Sequence, residues 1–218
     1  GGMIRVNGVL PNEDRNGYHM WYSCWTTRKD PDKGHSLYAL SKDGIRWEKP
    51  KMDLMPWLVN NSKDNNIIGG GGLVLHTPHE SDPARRYKSV GQKSGKYFFK
   101  ASADGLHWET LSKEPIFGAG DTGRVMWDPL TKKYRGYAKV NATVSGLRRR
   151  AIGYSEGTGF ESWPAMRLIM APDDFDDRWA KPGSIQRTHF YVCPVVAYQN
   201  MYLGFLSIYR AEDDEGYF

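Results

Sequence analysis

The stretch Phe99-Lys-Ala-Ser-Ala-Asp-Gly-Leu-His-Trp108-Glu109 decides the fold, because the chain repeats it. Tyr38-Ala-Leu-Ser-Lys-Asp-Gly-Ile-Arg-Trp47-Glu48 is nearly the same text, and Ile152-Gly-Tyr-Ser-Glu-Gly-Thr-Gly-Phe-Glu-Ser-Trp163 is a degenerate third copy. The tryptophans stand 61 residues apart (47 to 108) and 55 residues apart (108 to 163). Each copy predicts a strand, a tight turn and a returning strand. Asp43-Gly44 and Asp104-Gly105 are hairpin signals, since glycine takes the positive φ of such turns without a steric penalty.

The flanking text repeats as well. Tyr18 to Trp25, Tyr87 to Gly91 and Tyr134 to Val140 read as strands that precede the three hairpins. Before them lie Met3 to Val9, Gly70 to His76 and Gly123 to Trp127. Four strands recurring at this period are the signature of a propeller blade. Solenoid repeats are usually shorter, and a single β-sandwich leaves the repeated Asp-Gly…Trp unexplained. The expected fold class is therefore all-β, a β-propeller of four-stranded antiparallel blades. Residues 1–218 form a single domain on this reading, with blades at about 1–55, 56–114 and 115–171 and a partial fourth at 188–218. Residues 51–65, 115–120 and 172–187 serve as linkers. In the fourth unit Phe190 to Ala197 predicts a strand that Pro194 bends or confines to an edge, and Tyr202 to Tyr209 its partner. A propeller protects its strand edges by closing its ring, so three and a half blades predict a protein longer than 218 residues.

Composition agrees with an all-β chain. Thirteen tyrosines, eight tryptophans and 24 glycines fit aromatic strands separated by glycine turns. The longest apolar runs, such as Val192 to Ala197, are strand-sized, against the roughly 20 residues of a membrane-spanning helix, so no membrane association is expected. Gly1-Gly2-Met3 does not open a signal peptide, because no basic segment precedes an apolar stretch. Cys24 and Cys193 exclude a disulfide scaffold and lack metal-site spacing. The net charge of +5 is spread along the chain apart from Arg148-Arg149-Arg150. No nucleic-acid-reading motif accompanies it, so no nucleic-acid partner is expected.

With the blades laid out, the chain resembles the five-bladed propeller glycoside hydrolases of the family 32, 43 and 68 type. It is most similar to bacterial proteins described as related to family 32 glycosyl hydrolases. The residues that carry the likeness are Asn65-Asn66-Ile67-Ile68, Ser81-Asp-Pro-Ala-Arg-Arg-Tyr-Lys88, Ser102 to Trp108, Asp121-Thr-Gly-Arg-Val-Met-Trp-Asp-Pro129 and Lys133 to Tyr137. The resemblance implies hydrolysis of a glycosidic bond at the ring axis by carboxylate acid–base chemistry, a carbohydrate substrate and no cofactor or metal. The alternative is a propeller that binds a glycan or a protein without cleaving it. Enzymes of this type are usually exported, which implies a secreted or periplasmic protein whose export signal lies upstream of Gly1.

In such enzymes the innermost strand of each blade delivers a functional residue to an axial funnel. Asp121 opens the third innermost strand, and its place resembles the Arg-Asp-Pro aspartate of family 32, a transition-state stabiliser. The match is incomplete, since Gly120 stands for the arginine and Thr122 for the proline. Asp121 is the catalytic candidate; the other reading is a turn or cap aspartate. Arg124 is either a clamp for an acidic sugar or a partner for Asp121. His189 and Thr188 begin the fourth inner strand, where they bind substrate or serve the fold. Asn66 opens the second inner strand on this reading, as a sugar-binding amide or a turn residue. Arg5 and Asn7 are weaker candidates, and His76 closes its strand away from the funnel. Asp128-Pro129 reads as a turn. The acidic run Asp173 to Asp177 is a solvated loop or a calcium site, though it lacks a known loop spacing. Trp57, Trp179 and Tyr198 either pack or stack on sugars. The family 32 nucleophile motif and its general-acid Glu-Cys pair are missing. Asn12-Glu13-Asp14-Arg15-Asn16-Gly17 resembles the former but falls in a hairpin, and Glu161 lies in a blade's outer hairpin.

Overall fold

The computed structural model describes residues 3–25, 34–57, 60–70, 72–112, 114–179 and 187–211. The expected blade ends at 1–2 and 212–218, and parts of two linkers at 58–59 and 180–186, lie outside the described residues. Among those described the protein is all-β, with antiparallel pairing throughout and two short 3-10 turns, Pro83–Arg85 and Asp176–Trp179. Among the described residues no helix is long and apolar enough to cross a membrane.

The first sheet is ordered β1 (Met3–Pro11), β2 (Tyr18–Trp25), β3 (His35–Ser41), β4 (Ile67–Ile68). The second runs β5 (Leu73–His76), β6 (Tyr87–Lys93), β7 (Lys96–Ser102), β8 (Glu109–Thr110), with β9 (Phe117–Gly118) also on β7. The third is β10 (Gly123–Asp128), β11 (Lys133–Val144), β12 (Leu147–Gly157), β13 (Arg167–Met170). The first and third are four-stranded antiparallel meanders of propeller-blade type, as the repeat predicts, and the second is the same meander with β9 as a fifth strand. The last segment is a kinked hairpin. β14 (Arg187–Val192) pairs with β17 (Ser207–Ala211), and β15 (Val195–Tyr198) with β16 (Met201–Gly204). The interruption falls at Cys193-Pro194, where Phe205 N–H still donates to the Pro194 carbonyl (2.9 Å). Proline has no N–H to give a ladder, which is why the strand breaks there.

The chain divides into two compact units, residues 1–91 with 99–113, and residues 92–98 with 114–218. In the first, consecutive residues go to opposite faces of the sheet. Trp21, Tyr38 and Ile68 join Val74 and Tyr87 in one cluster, while Tyr22, Leu37, Ala39 and Ile67 form another. In the second, Met126, Tyr137, Ile152, Tyr154, Phe190 and Cys193 make the core. Neither cysteine is in a disulfide.

The repeated hairpin has one hydrogen-bond scheme in both of its clear copies. Ser41 Oγ accepts from the N–H groups of Asp43 and Gly44, and Asp43 Oδ1 accepts from Ile45 and Arg46. Ser102 and Asp104 do the same for Asp104, Gly105, Leu106 and His107. Gly44 and Gly105 sit at φ +74° and +77°. The Gly105 carbonyl also accepts from Trp21 Nε1 (2.7 Å), so the second hairpin lids the first sheet's buried tryptophan.

The outer edge differs from the expectation. Residues 51–65 do not simply link two blades: they form an excursion within the edge of the first sheet. Glu48 bridges Leu40, the chain leaves, and Ile67–Ile68 returns to pair with Ser36 and Leu37. Asn66 therefore borders the first sheet's edge instead of opening the second inner strand. The second sheet repeats this on a smaller scale, with β8 opposite Lys100 and Ala101 and β9 opposite Lys96 and Tyr97.

Candidate functional site

The second unit gathers chemistry around the residues that precede β10. Asp121 sits two residues before β10 and is half exposed, with its side chain 57% accessible. Lys139, on β11, reaches it from the sheet: Nζ lies 2.6 Å from Oδ1, and the lysine is only 6% accessible. Tyr191, on β14, donates its hydroxyl to Oδ2 (3.0 Å). Partial burial raises the Asp121 pKa, but the Lys139 ammonium and the Tyr191 hydroxyl outweigh it. The net effect holds the carboxyl below the usual range, so it is ionised at neutral pH.

Backbone bonds fix this geometry. Gly120 N–H donates to the Lys139 carbonyl (2.7 Å), and Lys139 N–H to the Thr122 carbonyl (2.8 Å). Thr122 Oγ1 donates to the Tyr191 carbonyl (2.9 Å). A Cβ on Gly120 would lie 2.4 Å from Lys139 Cε and 2.9 Å from its carbonyl oxygen. Position 120 therefore has no room for a side chain. The cation beside the aspartate comes from β11.

Basic and aromatic residues extend the cluster. Lys139 Nζ stands 5.5 Å from the centre of the Tyr191 ring. The Arg150 guanidinium, buried on β12, lies 4.9 Å from the Tyr209 ring and 6.0 Å from Tyr191. Buried His189 accepts the Arg150 N–H at Nδ1 (3.0 Å), which puts its proton on Nε2, and its ring tilts against Tyr209. Asp121, Lys139, Arg150, His189, Tyr191 and Tyr209 thus share one neighbourhood.

The other expected residues have different surroundings. Thr188 is buried; its hydroxyl donates to the Asp176 carbonyl (2.9 Å) and its N–H to Asp177 Oδ1 (2.8 Å). Arg124 donates to the carbonyl of Gly123 (2.9 Å). Asn66, in the first unit, is buried with both amide hydrogens engaged by Tyr22 Oη and the Tyr38 carbonyl. Asn7 donates to Ser23 Oγ (2.6 Å). Trp57 stacks on His35 and packs on the first sheet's core, while Tyr198 is 54% exposed. The side chain of Trp179 lies outside the described set.

The acidic run is an anchor. Asp177 grips both terminal nitrogens of the buried Arg149 (2.8 Å each), and Asp174 lies 3.2 Å from Nη2. Among the described residues no group of three or more His, Cys, Asp or Glu side chains is placed to hold a metal. Asp128 is buried in a turn, receiving bonds from Thr131, Tyr202 and Leu130 beside Arg135. Glu156 takes bonds from Lys133 and Tyr154.

Sequence reasoning missed Lys139, Arg150, Tyr191 and Tyr209. The available signal was a basic residue inside otherwise apolar strands, Tyr137-Ala-Lys139-Val140 and Arg149-Arg150-Ala-Ile152, since a lysine or arginine is rarely buried without a partner.

No protein-family model matches the chain, and no curated protein does. Its fold is nevertheless shared with solved structures. An N-acetylgalactosamine deacetylase from F. plautii, in complex with blood group B trisaccharide, has a TM-score of 0.54 at 9% identity. That match covers 89% of this chain and 58% of the other, so the chain spans under two thirds of the deacetylase's length. A BT0996 complex with RGII has a TM-score of 0.57 at 12% identity, over 97% of this chain and 71% of that one. A protein described as a glycoside hydrolase has a TM-score of 0.53 at 12% identity, over 96% and 71%. The chain has the all-β, blade-built fold of these structures.

Proposed function

We propose that the protein is a carbohydrate-active hydrolase that cleaves a glycosidic bond, and that its sugar contacts the Asp121 cluster. The observation that carries this is an ionised, solvent-accessible carboxylate just before β10, the first strand of its sheet, steadied by Lys139 and Tyr191. Glycosidic cleavage develops positive charge on the sugar ring, and a fixed carboxylate stabilises such charge. The same carboxylate accepts hydrogen bonds from sugar hydroxyls. Tyr191 supplies a half-polar ring of the kind that packs on sugar faces. The fold shared with a glycoside hydrolase and with saccharide-complexed proteins supports the substrate class.

Asp121 suits the stabilising role better than that of proton donor, since it is already ionised. A second reading, glycan binding without cleavage, is favoured by the Lys139 contact, because a carboxylate already paired with an ammonium is a weak nucleophile. A glycan-hydrolysis screen separates the two. It should include neutral fructans and arabinans and sulfated or uronic polysaccharides, with Asp121→Asn alongside. Cleavage that disappears in the folded variant supports the hydrolase. Binding without cleavage, unchanged in the variant, refutes it.

A further inference from the structure

The first unit contains a cavity that the Asp121 cluster does not use. It measures about 610 Å³ and lies between the β1–β2 hairpin and the loop joining β5 to β6. That volume falls within the range of small-molecule sites, roughly 300 to 1,000 Å³. Its polar lining includes Asn12, Glu13, Arg15, Glu80 and Arg86, and its ring lining is His76 and Tyr87.

Three features distinguish it from an ordinary gap between loops. It has one reachable ring: the exposed His76 lies 4.9 Å from the buried Tyr87 ring, tilted 30° to it, so Tyr87 backs the histidine from the core. Burial and the nearby Arg86 lower the His76 pKa, so the ring is neutral at neutral pH. Its lining carries two glutamates, Glu13 and Glu80, and two arginines, Arg15 and Arg86; Arg86 Nη1 lies 2.8 Å from Glu13 Oε1, and Glu80 is held by Lys88. Its wall is also built rigidly. The fully buried Lys88 donates to Glu80 Oε2 (3.0 Å), to Thr77 Oγ1 (3.3 Å) and to the Arg85 carbonyl. Thr77 binds the Arg86 carbonyl through both its N–H and its hydroxyl, and Asp82 caps the Pro83–Arg85 turn. Burying an ammonium is costly unless it is paired. A loop that only connects two strands does not need one to hold its shape, whereas a preorganised wall lowers the entropy cost of binding.

We infer that this cavity is a second carbohydrate-binding site, for a neutral mono- or disaccharide. The exposed His76 ring, backed by Tyr87, takes the apolar face of the sugar ring. The exposed Glu13 and the partly exposed Arg86 offer acceptors and donors to its hydroxyls, and the balanced charge gives an anion no advantage. The inference stands apart from the reading of Asp121 as a catalytic group.

The test is calorimetric titration of the intact chain with neutral saccharides (glucose, galactose, arabinose, lactose and maltose) and with sodium sulfate as the anionic probe. His76→Ala and Glu13→Gln each alter one exposed lining residue, and their melting curves confirm that they fold. The expected result is saturable binding of a neutral saccharide, weakened about tenfold in each variant, the size of one lost stacking contact or charge-assisted hydrogen bond. Asp121→Asn leaves that binding intact. The inference is overturned if no neutral saccharide binds, if only sulfate binds, or if His76→Ala and Glu13→Gln bind like the parent. Binding lost in Asp121→Asn alone assigns the sugar to the other cluster and overturns it too. Hydrolysis is scored in a separate assay, so failure of either proposal is visible without the other.

Discussion

Lys139 Nζ stands 2.6 Å from Asp121 Oδ1, and Gly120 is the reason it can. The lysine stem crosses the space where any other residue at 120 would put its first side-chain carbon. The cation beside Asp121 is thus supplied by the neighbouring strand.

This predicts the pH behaviour of whatever Asp121 does. Its pKa is lowered by Lys139 and Tyr191 against the opposing effect of burial. The ionised form therefore persists below the usual aspartate value near 3.9. The acid limb of glycan hydrolysis or binding should lie below that value in the parent, and rise in Lys139→Met. A limb that does not move would detach Asp121 from the activity.

Gly120→Ala should disturb the same contact without touching a charge. Overpacking of this kind costs about 1–3 kcal/mol. Chemical denaturation should show that loss, and the acid limb should shift in the direction seen for Lys139→Met. Parental stability would mean that the lysine can move aside.

The two hairpin glycines should differ in sensitivity. Both have positive φ, but a Cβ on Gly105 would meet Trp21 Cζ2 at 2.7 Å, whereas one on Gly44 would find Tyr18 no nearer than 3.5 Å. Backbone strain of about 1 kcal/mol applies to both. Only Gly105→Ala adds overpacking of about 1–3 kcal/mol against a buried tryptophan. Denaturation midpoints of the two variants should rank in that order.

Asp177→Asn should destabilise more than Arg149→Met. The first takes the principal anionic partner from a buried guanidinium and leaves it with exposed Asp174 and the Thr188 carbonyl, a loss of up to about 3–5 kcal/mol. The second removes the buried charge and leaves Asp177 with the Thr188 N–H and Arg187. The hydrogen bond from Arg149 is also the main cause that lowers the Asp177 pKa, with Thr188 N–H and Arg187 assisting against burial. A depressed carboxylate stabilises the fold fully above its unfolded pKa, near 3.9, and loses that effect as pH falls through the folded value. Urea denaturation between pH 6 and pH 2 should therefore show a steeper acid loss in the parent than in Asp177→Asn.

The fold was legible wherever short-range rules act. Ser-x-Asp-Gly specifies its own turn, because its acceptors and donors lie within four residues, and the aromatic strands follow from it. The placement of Ile67–Ile68 was not legible. Whether a short apolar pair ends one sheet or starts the next depends on which edge is free, and sequence order does not show that. Asp121 stood out by its position before an inner strand, but Lys139 lies 18 residues further on and Tyr191 70 residues further. Their meeting is a product of sheet register. Likewise the aspartates of residues 173–177 look solvated until the strand carrying Arg149 is placed beside them.

The split outer edges have a practical consequence. In the first sheet the chain departs after Glu48 and rejoins at Ile67; in the second it departs after Thr110 and rejoins at Phe117. The ladder is intact on both sides of the gap, whether the detour is long or short. Such a seam is a natural graft point. A peptide tag, a fluorophore-bearing loop or a small folded insert placed between Leu111 and Ile116 should be carried without loss of pairing, and the longer detour in the neighbouring sheet already shows what the scaffold accommodates.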